Sequence, residues 1–165
     1  MACAALLYEI NWGESGVSEN ITITRNLMDH TGYFIKYTTG NEDRYSPIAI
    51  YGLGSRVDED YLLYKNIAIT ENVICNRVTE FAVYVNSAHD VIIKDNDFGY
   101  HIDGESEETY TRAIHINGAM NIEISGNIYT SFFEAVDERI IAEHCKNIFG
   151  ADVEEGGVSL IPDKE

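Results

Sequence analysis

His115 stands between two isoleucines in Ile114-His115-Ile116, so strand alternation turns its imidazole to the face opposite its neighbours. An imidazole on such a face suits proton transfer or hydrogen bonding to a ligand. Three long stretches supply groups to work with it. Asp29 to Ser46 carries His30, Asp43, Arg44 and Tyr45, and Gly99 to Arg112 carries His101, Asp103, Glu105 and Tyr110. Ser131 to Arg139 adds Glu134, Asp137 and Glu138. Long loops in a compact fold are often functional, and these gather aromatics and carboxylates.

Other chemistries lack their spacing. The five histidines show neither HExxH nor HxH, which argues against a zinc centre. Cys3, Cys75 and Cys145 form no CxxC pair and no Cys/His cluster, and an odd count leaves a thiol over. Cys75 reads as structural, whereas Cys145 sits in a turn and is reactive if exposed. Asp58-Glu59-Asp60 and Asp95-Asn96-Asp97 have the composition for Ca²⁺, but Asn96 is better explained as a turn residue and the first cluster as a solvated insertion. No cofactor is expected, with Ca²⁺ the one candidate. The chain carries 11 Lys+Arg against 28 Asp+Glu, a net charge of −17. Such a surface repels nucleic acid, anionic membrane and anionic polysaccharide, and so favours a neutral ligand. No apolar stretch is long enough to span a membrane, and the start lacks a signal peptide's basic region.

The elements that must position these residues are written as a repeat. "NITITRN" opens at Asn20, "NIAITEN" at Asn66, "DVIIKDN" at Asp90, "NIEISGN" at Asn121, and a fainter "NIFGADV" at Asn147. The openings stand 46, 24, 31 and 26 residues apart, a fixed unit with insertions of changing length. Ile21 and Ile23, and their equivalents in each copy, alternate with the period of a half-buried strand. Six residues after each opening comes Asn26, Asn72, Asn96 or Asn127, a residue that tolerates left-handed turns and can bond to its own kind in a stack. Only the fifth copy breaks, with Val153 at that place. A second short strand follows at Met28, Ile74, Phe98 and Tyr129. A third lies seven residues upstream of the phrase at Val83-Tyr84-Val85, Ile114-His115-Ile116 and Ile140-Ile141-Ala142. Ile48-Ala49-Ile50 joins this set across an insertion from Gly52 to Lys65, and Tyr8-Glu9-Ile10 across a smaller one.

Three short strands per turn of about 24 residues predict an all-β fold, a right-handed single-stranded parallel β-helix of about five coils over residues 1–165. The phrase N-I-x-I-x-x-N followed by an apolar residue resembles the repeat of the pectate-lyase-like superfamily, whose members include glycoside hydrolases, polysaccharide lyases, epimerases and adhesins. The resemblance covers nearly the whole chain. It implies that the strand before the phrase forms the first sheet, and that long loops wall a substrate groove along it. With Val83 and Val85 inward, the central outward row is Glu9, Ala49, Tyr84, His115 and Ile141, and the next is Asn11, Tyr51, Asn86, Asn117 and Glu143. The preceding row is Leu7, Pro47, Ala82, Ala113 and Arg139. Tyr stacks on sugar faces, and Asn, His and carboxylates bond to hydroxyls.

A glycosidase needs two carboxyls about 5–9.5 Å apart. Glu9 and Glu143, four strand spacings apart, would be separated by about 19 Å. The expected catalytic set is therefore His115 and Glu143 with a loop carboxylate, Asp103 or Asp137. Glu9, Asn11, Tyr51, Tyr84, Asn86, Asn117 and Arg139 are expected to bind substrate. The reading is part of a glycoside hydrolase acting on a neutral poly- or oligosaccharide. Its alternatives are a non-catalytic glycan-binding or adhesion module, and a lyase or epimerase. The open apolar ends of such a solenoid suggest a piece of a larger protein, extracellular or at the cell surface, or a chain completed by self-association.

Overall fold

Wherever the isoleucine alternation recurs the chain forms a strand, and each strand pairs in parallel with its equivalent in the next copy. The computed structural model describes residues 5–8, 18–29, 46–51, 64–75, 81–99, 112–129, 139–154 and 158–161. Numbered along the chain, sheet A holds β1 (Ala5–Tyr8), β4 (Ile48–Tyr51), β7 (Val83–Asn86), β10 (Ile114–Asn117), β13 (Ile140–Glu143) and β15 (Val158–Ile161), in that spatial order. Sheet B runs β2 (Ser18–Thr24), β5 (Tyr64–Thr70), β8 (Ala88–Lys94), β11 (Met120–Ser125), β14 (Lys146–Phe149). Sheet C runs β3 (Leu27–Asp29), β6 (Val73–Cys75), β9 (Asp97–Phe98), β12 (Ile128–Tyr129). The chain passes repeatedly from A to B to C, and the only described helix is α1 (Ala151–Glu154). These three all-parallel sheets are compatible with the coiled architecture expected.

The core is where the alternation puts it. Ile48, Ile50, Val83, Val85, Ile114 and Ile116 of sheet A meet Ile67, Ile69, Val91, Ile93, Ile122 and Ile124 of sheet B, with Met28, Ile74 and Phe98 of sheet C closing the cluster. Each is buried, so the face these strands share is continuous and dry.

The first strand differs from expectation. Ala5, Leu6, Leu7 and Tyr8 pair with Ile48, Ala49, Ile50 and Tyr51, so Leu6, not Glu9, shares the register of Ala49, and Leu7 shares that of Ile50. Ala49 is completely buried, and a carboxylate beside it would be a desolvated charge. Hydrophobic alternation alone accepts either register, because Ala5-Leu6-Leu7 is apolar throughout.

Turn chemistry also falls elsewhere. The opening residues Asn20, Asn66, Asp90, Asn121 and Asn147 all adopt positive φ, between 54° and 60°. Arg25, Glu71, Asp95 and Gly126, the residues just before the trailing asparagines, also have positive φ, between 54° and 68°, whereas those asparagines do not. Asn and Asp tolerate this region better than other side chains, which accounts for their place at each opening.

The trailing asparagines form a ladder, buried at Asn72 and Asn96, half-buried at Asn127 and exposed at Asn26. Asn26 Nδ2 donates to Asn72 Oδ1, Asn72 Nδ2 to Asn96 Oδ1, and Asn96 Nδ2 to Asn127 Oδ1, each at 2.9 Å. The same oxygens accept the backbone N–H of Asn26, Asn72 and Asn96. The remaining hydrogen of each of Asn72, Asn96 and Asn127 goes to a carbonyl, of Ile23, Ile69 and Ile93. In the fifth copy the rung is Asp152, one residue before the expected Val153. Its Oδ2 accepts from Asn127 Nδ2 at 2.7 Å, Asn127 N at 3.2 Å and Tyr129 Oη at 2.8 Å. A carboxylate only accepts, so a ladder whose donors all point toward the C-terminus ends there.

The same contact holds the Tyr129 phenol far above its ordinary range, through burial first and the Asp152 carboxylate second. A raised folded pKa contributes stability that is complete below the unfolded value, about 10, and is lost as pH rises beyond it. Urea midpoints of the native chain should therefore fall more steeply between pH 8 and pH 11 than those of Tyr129→Phe. Equal slopes would show that this phenol is not held neutral.

Candidate functional site

Sheet A brings together five of the residues expected to act. Register sets Ala49, Tyr84, His115 and Ile141 in one row, and Asn86, Asn117 and Glu143 in the next. His115 Nε2 lies 3.6 Å from Glu143 Oε2, within ion-pair reach but too long for a good hydrogen bond. The Tyr84 ring stands edge-on to the imidazole with centroids 5.1 Å apart.

Exposure does not follow expectation. The central row is no open stripe: relative exposure is 0% at Ala49, 6% at Tyr84, 7% at His115 and 8% at Ile141. Asn86 is buried as well, with Ser87 Oγ donating to its Oδ1 at 2.8 Å, while Asn117 and Glu143 are half-buried. Of the preceding row, Pro47, Ala82 and Ala113 are buried. Alternation reports the side of a sheet on which a residue lies, not what lies over it. One covering group is Phe81, whose ring centroid is 4.8 Å from that of His115. Phe81 was missed because its phase matches Val83; the chain bends at Ala82, so strand parity does not extend back to it.

Arg139 is exposed and sits beside sheet C, its guanidinium carbon 5.3 Å from the Tyr129 ring centroid. Its carbonyl meanwhile accepts from the N–H groups of Ala113 and Ile114, beside the His115 strand. Glu9, Asn11, Asp103 and Asp137 lie outside the described residues, as does the side chain of Tyr51, whose backbone closes β4. The rim is thus Asn86, Asn117 and Glu143, backed by Tyr84, His115 and Phe81. The amide oxygen of Asn117 is buried and has no hydrogen-bond donor among the described residues.

The other candidate groups resolve differently. Asn96 of the acidic cluster is fully buried and committed to the ladder, so it is no cation ligand. Among the described residues, no three His, Cys, Asp or Glu side chains converge on one point. The Cys75 thiol is pushed up by burial, then by its bond to Asp29 Oδ1 at 3.5 Å and the charges of Asp29 and Asp97, which suppresses thiolate chemistry. Cys145 is half-buried and directs its sulfur at the carbonyl oxygens of Glu143, 3.1 Å, and Ile116, 3.6 Å. No family model, curated protein or solved structure matches this chain.

Proposed function

We propose that the three sheets are the faces of a right-handed parallel β-helix of the pectate-lyase-like kind, and that its sheet A rim binds a neutral oligosaccharide. The observation that carries this reading is the in-register run Asn86, Asn117, Glu143 beside Tyr84 and His115. Amide, carboxylate and imidazole groups at successive strand spacings supply donors and acceptors for a row of hydroxyls. Among the described residues the buried Asn117 oxygen is an acceptor short of a donor, as a ligand-binding group can be in the free protein. The repeated phrase supports the class, and the charge of −17 supports a neutral sugar over an anionic one.

Glycoside hydrolysis is the second reading, favoured by the approach of His115 to Glu143. Glu143 would serve as one carboxyl of the pair, with Asp103 or Asp137 as its partner. The protein should be screened on a neutral glycan panel for both retention and reducing-sugar release. Glu143→Gln should weaken retention about tenfold, the loss of one charge-assisted hydrogen bond. Release by the native protein that vanishes in Glu143→Gln identifies a hydrolase, and retention without release identifies a binding module. Unchanged retention and no release in either protein would overturn both.

A further inference from the structure

Among the described residues, the exposed large apolar side chains lie on the other two sheets. Ile92, 39% exposed, and Phe149, 46% exposed, are on the outward face of sheet B, where a shallow concavity of about 420 Å³ lies across the strands. Its floor is the row Ala68, Ile92, Glu123 and Phe149, with the Glu123 carboxylate standing between the two exposed apolar side chains, and its rim is Asn66, Asp90 and Asn121, the residues that open successive repeats.

That rim is a second ladder, with one break. Asn147 donates to Asn121 Oδ1 at 2.9 Å, Asn121 donates to Asp90 Oδ1 at 2.9 Å, and Asn66 donates to Asn20 Oδ1 at 3.1 Å. These donors point toward the N-terminus, opposite to the buried ladder. Asp90, standing where other copies have Asn, has no hydrogen to pass on, and no bond joins it to Asn66. Its second oxygen lies 2.8 Å from His89 Nδ1. The bonds from Asn121 and His89 hold its carboxyl below the usual range, so it is an acceptor at neutral pH. The Asn66 amide oxygen and the Asp90 carboxylate are therefore adjacent acceptors at the lip of an apolar floor.

We propose that this face of sheet B is a second carbohydrate site, taking a neutral oligosaccharide that lies across the strands. Its sugar faces rest on Phe149 and Ile92, and two neighbouring hydroxyls donate one hydrogen each to Asn66 and Asp90 where the ladder is broken. An extended sugar chain meets a new rim residue at every strand spacing, about 4.8 Å. The strands of sheet B bond to neighbours on both sides through its middle, so a polypeptide laid on this face gains no backbone bonds, whereas hydroxyls bring their own donors. Asp90 and Glu123 line the concavity with no basic side chain, which disfavours uronates and phosphorylated sugars.

The inference shares its ligand class with the sheet A reading but not its residues. Amide-resolved NMR of the labelled chain with cellohexaose, xylohexaose, mannohexaose and laminarihexaose tests it. At least one hexasaccharide should shift the amides around Ile92 and Phe149. Phe149→Ala should weaken that binding about tenfold, Phe149→Trp should restore it, and Leu27→Ala, an exposed control on sheet C, should leave it unchanged. Shifts confined to sheet A would support the first site and overturn this one; shifts on sheet B that survive Glu143→Gln would support this one independently of the first. Shifts with none of the four, or shifts on sheet B with glucosamine oligomers alone that vanish in high salt, would overturn the neutral-sugar assignment.

Discussion

Asn96→Ala should remove about 3–5 kcal/mol of unfolding free energy, a large share of the roughly 5–15 kcal/mol that holds a domain together. The side chain is completely buried and makes four bonds, accepting from Asn72 N and Nδ2 and donating to the Ile69 carbonyl and Asn127 Oδ1. Truncation strands the Asn72 N–H and the Ile69 carbonyl in the interior, at about 1–3 kcal/mol for each orphaned group. Asn96→Asp separates shape from hydrogen bonding. It keeps the acceptor for Asn72 but sets a carboxylate against the Ile69 carbonyl and Asn127 Oδ1. Its defect should ease at acid pH, where protonation of that residue returns a donor. Asn121→Ala, in the exposed ladder, should cost only about 0.5–1.5 kcal/mol, because water replaces what is lost. Urea unfolding followed by circular dichroism measures all three. An Asn96→Ala protein within about 1 kcal/mol of the native chain would mean that water satisfies the ladder as well as asparagine does.

The contrast between the two ladders explains what the sequence discloses. Ile21-x-Ile23 and its equivalents state both period and face, so the strands of sheets B and C could be placed from residues alone. The trailing Asn announces a stack because each copy repeats it at the same offset. Conformation is less legible. The positive φ at Arg25, Glu71 and Asp95 falls on residue types with no common preference for it, and only the fold imposes it. Asp152 hid because its helical turn shifts the rung by one residue, and an alignment by sequence offset reads Val153 instead. At the candidate site the pairing of Asn117 with Glu143, and of His115 with Tyr84, followed from the period of the repeat. Burial of that row did not, because the residues over a strand come from elsewhere in the chain. The sheet B concavity has no signal in the hydrophobic period, which marks only the inward residues of the phrase. Its clue was Asp90, the one opening residue that is not Asn.

Gly150→Ala should destabilise the chain by about 2–4 kcal/mol and release the end of the buried ladder. Gly150 follows β14 with φ at +119°, where a side chain is strained by about 1–3 kcal/mol. Space is also lacking: a Cβ there would meet the Ile124 oxygen at 2.2 Å, its carbonyl carbon at 2.8 Å and its nitrogen at 3.0 Å, all backbone of β11. Neither strand can retreat without parting from its neighbour, so the displaced segment is the one that follows. That segment is α1, whose Val153 and Glu154 N–H groups bond to the Gly150 carbonyl and which carries Asp152 into the ladder. Drawing Asp152 away would leave Asn127 without its acceptor and free the Tyr129 hydroxyl. The phenol should then titrate at a lower pH, closer to the ordinary value near 10, in an ultraviolet absorbance titration. Asp152→Asn tests the rung without backbone strain. It retains an acceptor for Asn127 and Tyr129, and should cost under about 1.5 kcal/mol, one weakened hydrogen bond. A Gly150→Ala protein with native stability and an unmoved tyrosine titration would show that α1 does not close the ladder.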